Sequence, residues 1–507
     1  MKNKKILTTA VFLAVVTLLA KACGLVRDSM IAGYFSAGFE TDAFMTATKL
    51  PTMLFDMVIG GVISASFIPI FTSVREKEGK EQADKFASRF IVMILSVAIV
   101  IALGGIVFSD RLVMLLAPGF DGAKLDLTSE LTAIMFPMII FTGLAFSFVG
   151  LLQSNGEYNI PAIISLISNV AIIIYFPLFA DKFGIHGLAY TMLIAWSLQV
   201  IVQIPSLFKF KFRFRPDFRL NDQNVISALK LAGPMLISTW VQPLYSVINS
   251  RLASGIEGAP TVLELANRLY VVMTGVFSFV VTNLIFPKAA KANAENKEDE
   301  AKSLIVTSLK SMFLILLPLT VGVMVLAPYI TSIIYEHNKF DSESVIRVAN
   351  ALRGYSVGMV ALAVNEVLSK YFFSMQNSRT PMRNSIISIV LNIALAYALF
   401  GALQTPGLAL AAAGGSICNA VLNAISLRDK KLFKKEDFIN ILKIFVSAAV
   451  MGLVLIPVSN ALKFVSGGLI GNILYCGLCA VTGIIVYMIA VILLRVDLIK
   501  NLINRER

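Results

Sequence analysis

The sequence predicts an all-α polytopic membrane protein, and three observations carry that prediction. Of its 507 residues, 57% are hydrophobic and only 15% charged, and the mean hydropathy is +0.80, which leaves too little polar surface to clothe a soluble particle of this size. The apolar residues fall in continuous runs long enough for membrane-crossing helices of about 20 residues. They do not alternate with polar residues as the strands of an outer-membrane barrel would.

Fourteen such runs follow one another, at about 6–26, 43–72, 87–109, 129–152, 160–180, 187–208, 225–253, 262–287, 304–335, 345–374, 382–402, 407–427, 439–462 and 469–494. The first follows Lys2, Lys4 and Lys5 as a secretion signal would, but it lacks a small-residue cleavage site and continues into Arg27-Asp28, so it is expected to be retained. The ninth carries Ala327-Pro328 and is expected to kink or break there. The last two are glycine-rich, with Gly467, Gly468, Gly471, Gly477 and Gly483, which suits close helix packing as well as a groove.

Orientation follows from the cations. Alternate connections are basic, with Arg75 to Arg89, Lys209 to Arg219, Lys288 to Lys302, Arg379 and Arg383, and Arg428 to Lys435, whereas the others carry scattered cations such as Arg111, Lys124, Lys182, Lys339 and Lys463. The basic set is cytoplasmic. Both termini share its character, which requires an even number of spans. The net charge of +13 is then a topology signal with a secondary attraction to anionic lipid headgroups. Cations alternate with aromatics across Lys209 to Arg219, but that is expected at a membrane interface and no nucleic-acid partner is implied.

Three punctuation marks repeat in register. Ile68-Pro69 and Phe286-Pro287 each close a helix before a charged loop, Gly119-Phe120-Asp121 is echoed by Lys339-Phe340-Asp341, and Pro161 by Pro381, at offsets of 218 to 220 residues. The chain therefore reads as two six-helix bundles, residues 1–220 and 221–436, related by a pseudo-two-fold along the membrane normal, with two C-terminal helices over 437–507. Parallel repeats of this kind are common in transporters, with the substrate between the halves and access alternating as one rocks against the other.

Charges inside apolar helices are costly and mark functional sites by default. Lys21, Arg27 and Asp28 lie in the first run and Arg268 in the eighth. At about 1.5 Å per residue, Lys21 and Arg27 lie roughly 20–30 Å along a helix that starts inside, and Arg268 about 10 Å down one that starts outside. Mostly cationic, they suit an anionic cargo; the alternative is cations at helix ends reaching the interface or locked in structural ion pairs. Weaker candidates are Arg353, Glu366 and Asn249; Arg353 is either a further cargo cation or an ion-pair partner of Glu366. Cys23, Cys418, Cys476 and Cys479 fall in apolar helices and imply no disulfide. His186 and His337 stand far apart and give no metal-ligand spacing, and no nucleotide-binding sequence is present.

Lys21-Ala-Cys-Gly-Leu-Val-Arg27-Asp28, Thr41-Asp42-Ala-Phe, Lys49-Leu-Pro51, Phe67-Ile-Pro69, Ala117-Pro-Gly-Phe120, Asn267-Arg268-Leu269, Lys339-Phe340, Tyr355-Ser-Val-Gly358 and Thr380-Pro381 together resemble the MurJ (MviN) lipid II flippase family, within the multidrug/oligosaccharidyl-lipid/polysaccharide exporter superfamily. The resemblance runs in order from about residue 5 to 430. It implies a non-enzymatic transporter of the bacterial cytoplasmic membrane, both termini cytoplasmic, which moves undecaprenyl-pyrophosphate-linked peptidoglycan precursor to the outer leaflet and works beside cell-wall synthesis proteins. It also implies Lys21, Arg27 and Arg268 as the pyrophosphate site, Asp28 and Asp42 as supporting acids, and a lipid-tail groove at the last two helices. No cofactor is implied, and the coupling cation is unidentified. The chain departs from the pattern at Lys21, usually Arg, at Phe55-Asp56, where a cation is common, and at Val271, where an acid is common. Two rivals stay open: an exporter of drugs or another polyprenyl-linked glycan, and a membrane enzyme acting on polyprenyl phosphates.

Overall fold

The computed structural model describes residues 2–60, 66–219, 222–230, 241–295, 297–375, 377–428 and 432–497. Lys430 and Lys431 of the last basic connection, and the C-terminal cations Lys500, Arg505 and Arg507 that give that terminus its basic character, lie outside them. Helices account for the regular structure, and no strand occurs among the described residues. Seven helical stretches among them are long and apolar enough to cross a membrane. The chain falls into two compact units, residues 1–261 and 262–507.

The first unit contains α1 (Lys2–Phe35), α2 (Phe39–Phe55), α3 (Ile68–Glu78), α4 (Lys80–Val107), α5 (Ser109–Leu116), α6 (Gly122–Met135), α7 (Met138–Ser154), α8 (Asn159–Ile201), α9 (Ile204–Lys209) and α10 (Val241–Ala253). The expected run 43–72 is interrupted: α2 ends at Phe55 and passes into a π-helical turn, Asp56–Gly60. The run 129–152 divides at Phe136-Pro137, because proline supplies no N–H to continue the ladder. Helix α1 packs along α8, α2 against α6, and α4 against α7. One core gathers Phe67, Phe71, Phe86 and Phe90, with the Phe67 and Phe90 ring centres 4.9 Å apart. A second joins Ile31, Phe44, Tyr175 and Phe176.

The basic segment after α9 is folded back onto this unit. Ser88 Oγ accepts from the Arg215 backbone N–H at 3.0 Å, Lys80 Nζ donates to the carbonyls of Phe210 and Lys211, and Arg89 pairs with Asp217 at 2.8 Å and also with Asp222. The hydrogen bond from Arg89 holds the Asp217 carboxyl below the usual carboxylate range.

Helix α11 (Ala259–Ala294) begins at the end of the first unit and runs into the second, which continues with α12 (Glu298–Tyr335), α13 (Ser342–Ser356), α14 (Met359–Ser374), α15 (Arg379–Ile425), α16 (Lys435–Ala461) and α17 (Gly468–Leu493). Of the kink or break expected at Ala327-Pro328, the break does not occur: α12 continues through both Pro318 and Pro328. Thr331 Oγ donates to the Ala327 and Pro328 carbonyls at 2.8 and 3.0 Å in this stretch. The run 345–374 divides at Val357-Gly358, the counterpart of the Pro137 break.

The C-terminal pair α16 and α17 packs on α12. The Tyr329 and Tyr475 rings lie 4.2 Å apart, Tyr487 donates to the Leu314 carbonyl at 2.7 Å, and a Cβ on Gly483 would lie 2.9 Å from the Met451 methyl. Close packing therefore accounts for Gly483. All four cysteines are free thiols.

The repeat is visible in the backbone. Helices α8 and α15 each merge two helices across one non-helical residue, Gly184 (φ 53°) in the first and Gln404 (φ 50°) in the second. These lie 404 minus 184, or 220, residues apart, the offset read from the sequence.

Candidate functional site

Arg27 sits on the α1 face that meets α8, and it is not a loose cavity cation. Its Nε and Nη2 donate to one oxygen of Asp28 at 2.9 and 2.7 Å, and its Nη1 donates to Asn169 Oδ1 at 3.0 Å. The Asn169 amide in turn donates to the Ala20 carbonyl at 3.2 Å. Arg27 and Asp28 side chains retain only 14% and 6% of their exposure. A guanidinium has five N–H groups, so three are engaged and two remain to meet a ligand, in a plane fixed by Asp28 and Asn169. Lys21 lies on the same helix, half-buried.

Asp42 is fully buried near the start of α2, where it gathers the beginning of α11. One oxygen accepts from Thr261 N and Oγ1 at 3.1 and 2.6 Å; the other accepts from Gly258 N at 2.7 Å and from Lys124 Nζ at 2.8 Å. A carboxylate at a helix N-terminus satisfies donors the helix itself leaves open and complements its dipole. All of Asp42's described contacts are made within the first unit. Nearby, Gly119 N donates to Ser254 Oγ at 3.0 Å, and a Cβ at Gly119 would come within 2.6 Å of the Ser254–Gly255 backbone, so this loop tolerates no side chain there. Arg251 of α10 donates to the Leu115 carbonyl, and Lys49 of α2 donates to Ser250 Oγ at 3.2 Å. Asn249 is half-buried, and its Oδ1 has no hydrogen-bond partner.

In the second unit Arg268 is half-exposed, with Glu264 one turn before it on α11 at 3.0 Å. Arg353, in the last turn of α13, donates to the Met324 carbonyl at 2.9 Å and to Asn350 Oδ1 at 3.1 Å. The ion pair anticipated between Arg353 and Glu366 does not form, because Glu366 pairs with Lys370 at 3.0 Å on its own helix. Arg353 is thus a tie between α12 and α13. A buried amide network joins α14 to α15, with Asn365 donating to the Ser416 carbonyl at 2.8 Å and Asn384 donating to Asn423 Oδ1 at 2.9 Å. Among the described residues, no group of three or more His, Cys, Asp or Glu side chains is arranged to hold a metal ion.

Sequence reading missed the partners that fix these charges: Asn169, Lys124 and Glu264. The first two stand 142 and 82 residues from the groups they serve, so no local spacing reveals them. Glu264 precedes Arg268 by four residues, a spacing that places both on one helix face and was legible.

Residues 31–475 match the family model described as lipid II flippase MurJ. A probable lipid II flippase MurJ of Buchnera aphidicola subsp. Schizaphis graminum (strain Sg) is 29% identical over 461 residues, 89% of each chain. The lipid II flippase MurJ of Burkholderia cenocepacia is 26% identical, covering 82% of this chain and 83% of its own. In three dimensions the chain superimposes on a lipid II flippase MurJ in an inward closed conformation, with a TM-score of 0.81 at 23% identity, covering 96% of this chain and all of that one. It also superimposes on an inward-facing multidrug resistance MATE family transporter of the MOP superfamily, with a TM-score of 0.66 at 16% identity over 82% of this chain and 98% of that one. At these identities the two structures speak for the fold.

Proposed function

Because the chain belongs to the lipid II flippase MurJ family, whose model covers most of its length, we propose that it carries lipid II from the cytoplasmic to the outer leaflet by alternating access, with the pyrophosphate held by Lys21, Arg27 and Arg268. The protein is a lipid II flippase, a transporter rather than an enzyme, and a multi-span helical membrane protein of a bacterial family. The observation that carries the site assignment is Arg27: a guanidinium already oriented by Asp28 and Asn169, with two donors to spare. Such a fork suits phosphate oxygens, and holding it in place beforehand lowers the ordering cost of binding.

In this reading Asp28 orients Arg27 and keeps the empty site near neutrality, while Asp42 is a positioning residue that anchors the start of α11. Arg268, tethered by Glu264 yet half-exposed, is the more mobile cation. Arg353, Glu366 and Asn249 are weaker candidates for the cargo site, with Arg353 and Glu366 engaged by Met324, Asn350 and Lys370. Both termini lie on the cytoplasmic side, the energy comes from an ion gradient, the membrane potential or downhill consumption of the product, and cell-wall synthesis proteins are the expected partners.

The test is depletion of the chain in its host, with leaflet-resolved measurement of lipid II. Accumulation on the cytoplasmic leaflet is the expected result; an unchanged distribution would overturn the reading.

A further inference from the structure

The first unit holds an unpaired carboxylate and an unpaired donor around one cavity. Asp56 follows the last residue of α2 and opens the π-helical turn. Such turns interrupt the helical ladder and occur often at functional positions. With Thr52, Thr142, Phe146 and Trp196, Asp56 lines a cavity of about 180 Å³ formed by α2, α7 and α8. Trp196 Nε1 is buried without a hydrogen-bond partner. Asp56 makes no ion pair and no side-chain hydrogen bond among the described residues.

Neither condition is indifferent. A buried N–H without an acceptor costs about 1–3 kcal/mol, and although Asp56 is itself exposed at the open side of this cavity, a carboxylate inside an apolar run of a membrane protein is a functional-site candidate by default. The cavity is large enough for several waters at roughly 30 Å³ each. Thr52 and Thr142 already donate their hydroxyl protons, to the Thr48 carbonyl at 3.0 Å and the Met138 carbonyl at 2.8 Å, and so offer lone pairs only.

We propose that Asp56, together with Trp196 and the cavity between α2, α7 and α8, forms a proton-binding site that couples the transport cycle to a proton gradient. Coupling rests on the flippase reading; proton binding does not. The ionised carboxylate accepts from the indole N–H, directly or through water, whereas the protonated carboxyl is neutral and turns its own O–H toward a threonine oxygen. The two states thus differ in what they bond across the cavity, at the residue where α2 changes helix type. A hard metal cation is the poorer occupant. It wants a shell of about six oxygens, and this cavity offers one carboxylate and two hydroxyls beside an N–H that repels it.

Of the other elements packed against α2, α1 carries Lys21 and the mutually paired Arg27 and Asp28, and α6 carries Asp126, Glu130, which meets His186, and Lys124, which pairs with Asp42. Helix α5 carries Asp110 and Arg111, and α4 carries its charges, Lys80 to Arg89, in its first turns. Lys49 stands two turns earlier on α2 and is engaged with Ser250. Helix α7 carries no titratable residue. The acids and bases of α8, Asp181, Lys182 and His186, are at least ten residues from Trp196, or about 15 Å along the helix, and the helix also carries Tyr175 and Tyr190.

The chain has two tryptophans, Trp196 and Trp240, so Trp240→Phe leaves the cavity indole as sole fluorophore. In lipid nanodiscs without cargo, its emission is followed from about pH 4 to about pH 9, a span that brackets solvated and buried carboxyls. The expected result is one titration, lost in Asp56→Asn and retained with a displaced midpoint in Asp56→Glu. An emission flat across the range, or a titration that survives Asp56→Asn, overturns the site; so does a midpoint that moves when sodium replaces a bulky organic cation at constant ionic strength. In vesicles, Asp56→Asn should lose the dependence of lipid II flipping on an imposed pH gradient. A titration present without that dependence overturns the coupling while leaving the flippase reading intact.

Discussion

Replacing Asp42 by alanine removes acceptors from four donors and strands a buried ammonium, and the structure permits a number to be placed on the result. Asp42 has no exposed side-chain surface and Lys124 retains 13%, so the pair is largely shielded from solvent screening. Removing one partner of a buried ion pair costs about 3–5 kcal/mol because the other charge stays behind uncompensated. At roughly 2–4 °C per kcal/mol for a unit of this size, Asp42→Ala should lower the apparent melting temperature by about 6–20 °C. Lys124→Met should cost less, since Asp42 keeps its three donors from Gly258 and Thr261. The double variant should recover about 0.5–3 kcal/mol relative to the sum of the single changes. Unfolding is read in detergent at fixed scan rate with a thiol-reactive dye, using the four free cysteines as reporters. An Asp42→Ala protein melting within about 2 °C of the parent, well below the shift expected for a lost buried pair, or strictly additive single changes, would refute the anchoring role.

The remaining predictions concern the cargo cations and one helix cap. Arg27→Lys keeps the charge but loses the fork, and transport in reconstituted vesicles should fall roughly 10- to 100-fold, the equivalent of one charge-assisted hydrogen bond; Asn169→Ala should weaken transport in the same direction with less loss. Arg27→Ala should also destabilise, as it leaves Asp28 buried and unpaired, so abundance and activity must be measured together. Arg268→Ala should abolish transport with normal abundance, its pair being half-exposed, and Lys21→Arg should be tolerated in the same assay. Asp341 caps α13 by accepting from the Ser344 backbone N–H at 3.0 Å, and that bond holds its carboxyl below the ordinary range. A lowered carboxyl contributes stability that is present above its ordinary value and lost as pH falls through the folded one. Protection against hydrogen exchange in the first turn of α13, relative to the intrinsic rate at each pH, should therefore fall in acid, and in Asp341→Ala it should be low at every pH, by about 1 kcal/mol of lost capping.

Much of this was readable in the chain because a bilayer leaves few choices: apolar runs must be helices, and cations must sort by side. The repeat was legible because Asp121 and Asp341 precede helices, and Pro161 and Pro381 sit in first turns, at one constant offset. The expectation that Pro69 and Pro287 close helices fails, since Pro69 opens α3 and Pro287 lies inside α11; proline is tolerated where its missing N–H is not needed or its neighbours compensate. The π-helical turn was not, since Asp56-Met-Val-Ile-Gly60 carries no signature that separates it from ordinary α-helix. Nor was the division of labour among the charges. Arg27 and Arg268 look alike in sequence, yet one is held by Asp28 and by Asn169 from a distant helix, while the other meets Glu264 one turn away on its own helix. Asp42 belongs to the same family resemblance as residues assigned to cargo, but its partners come from segments more than 80 and more than 200 residues distant.

The paired kinks at Gly184 and Gln404 record how the two halves diverged. In one copy the left-handed residue is glycine, for which that conformation is free; in the other it is glutamine, which bears a strain of about 1 kcal/mol there. The two positions share an angle without sharing a residue, a shape kept where the letter differs. Ancestry in this chain is therefore written more durably in torsion angles than in side chains, and a comparison of its halves by backbone will find kinship where alignment of residues has gone silent.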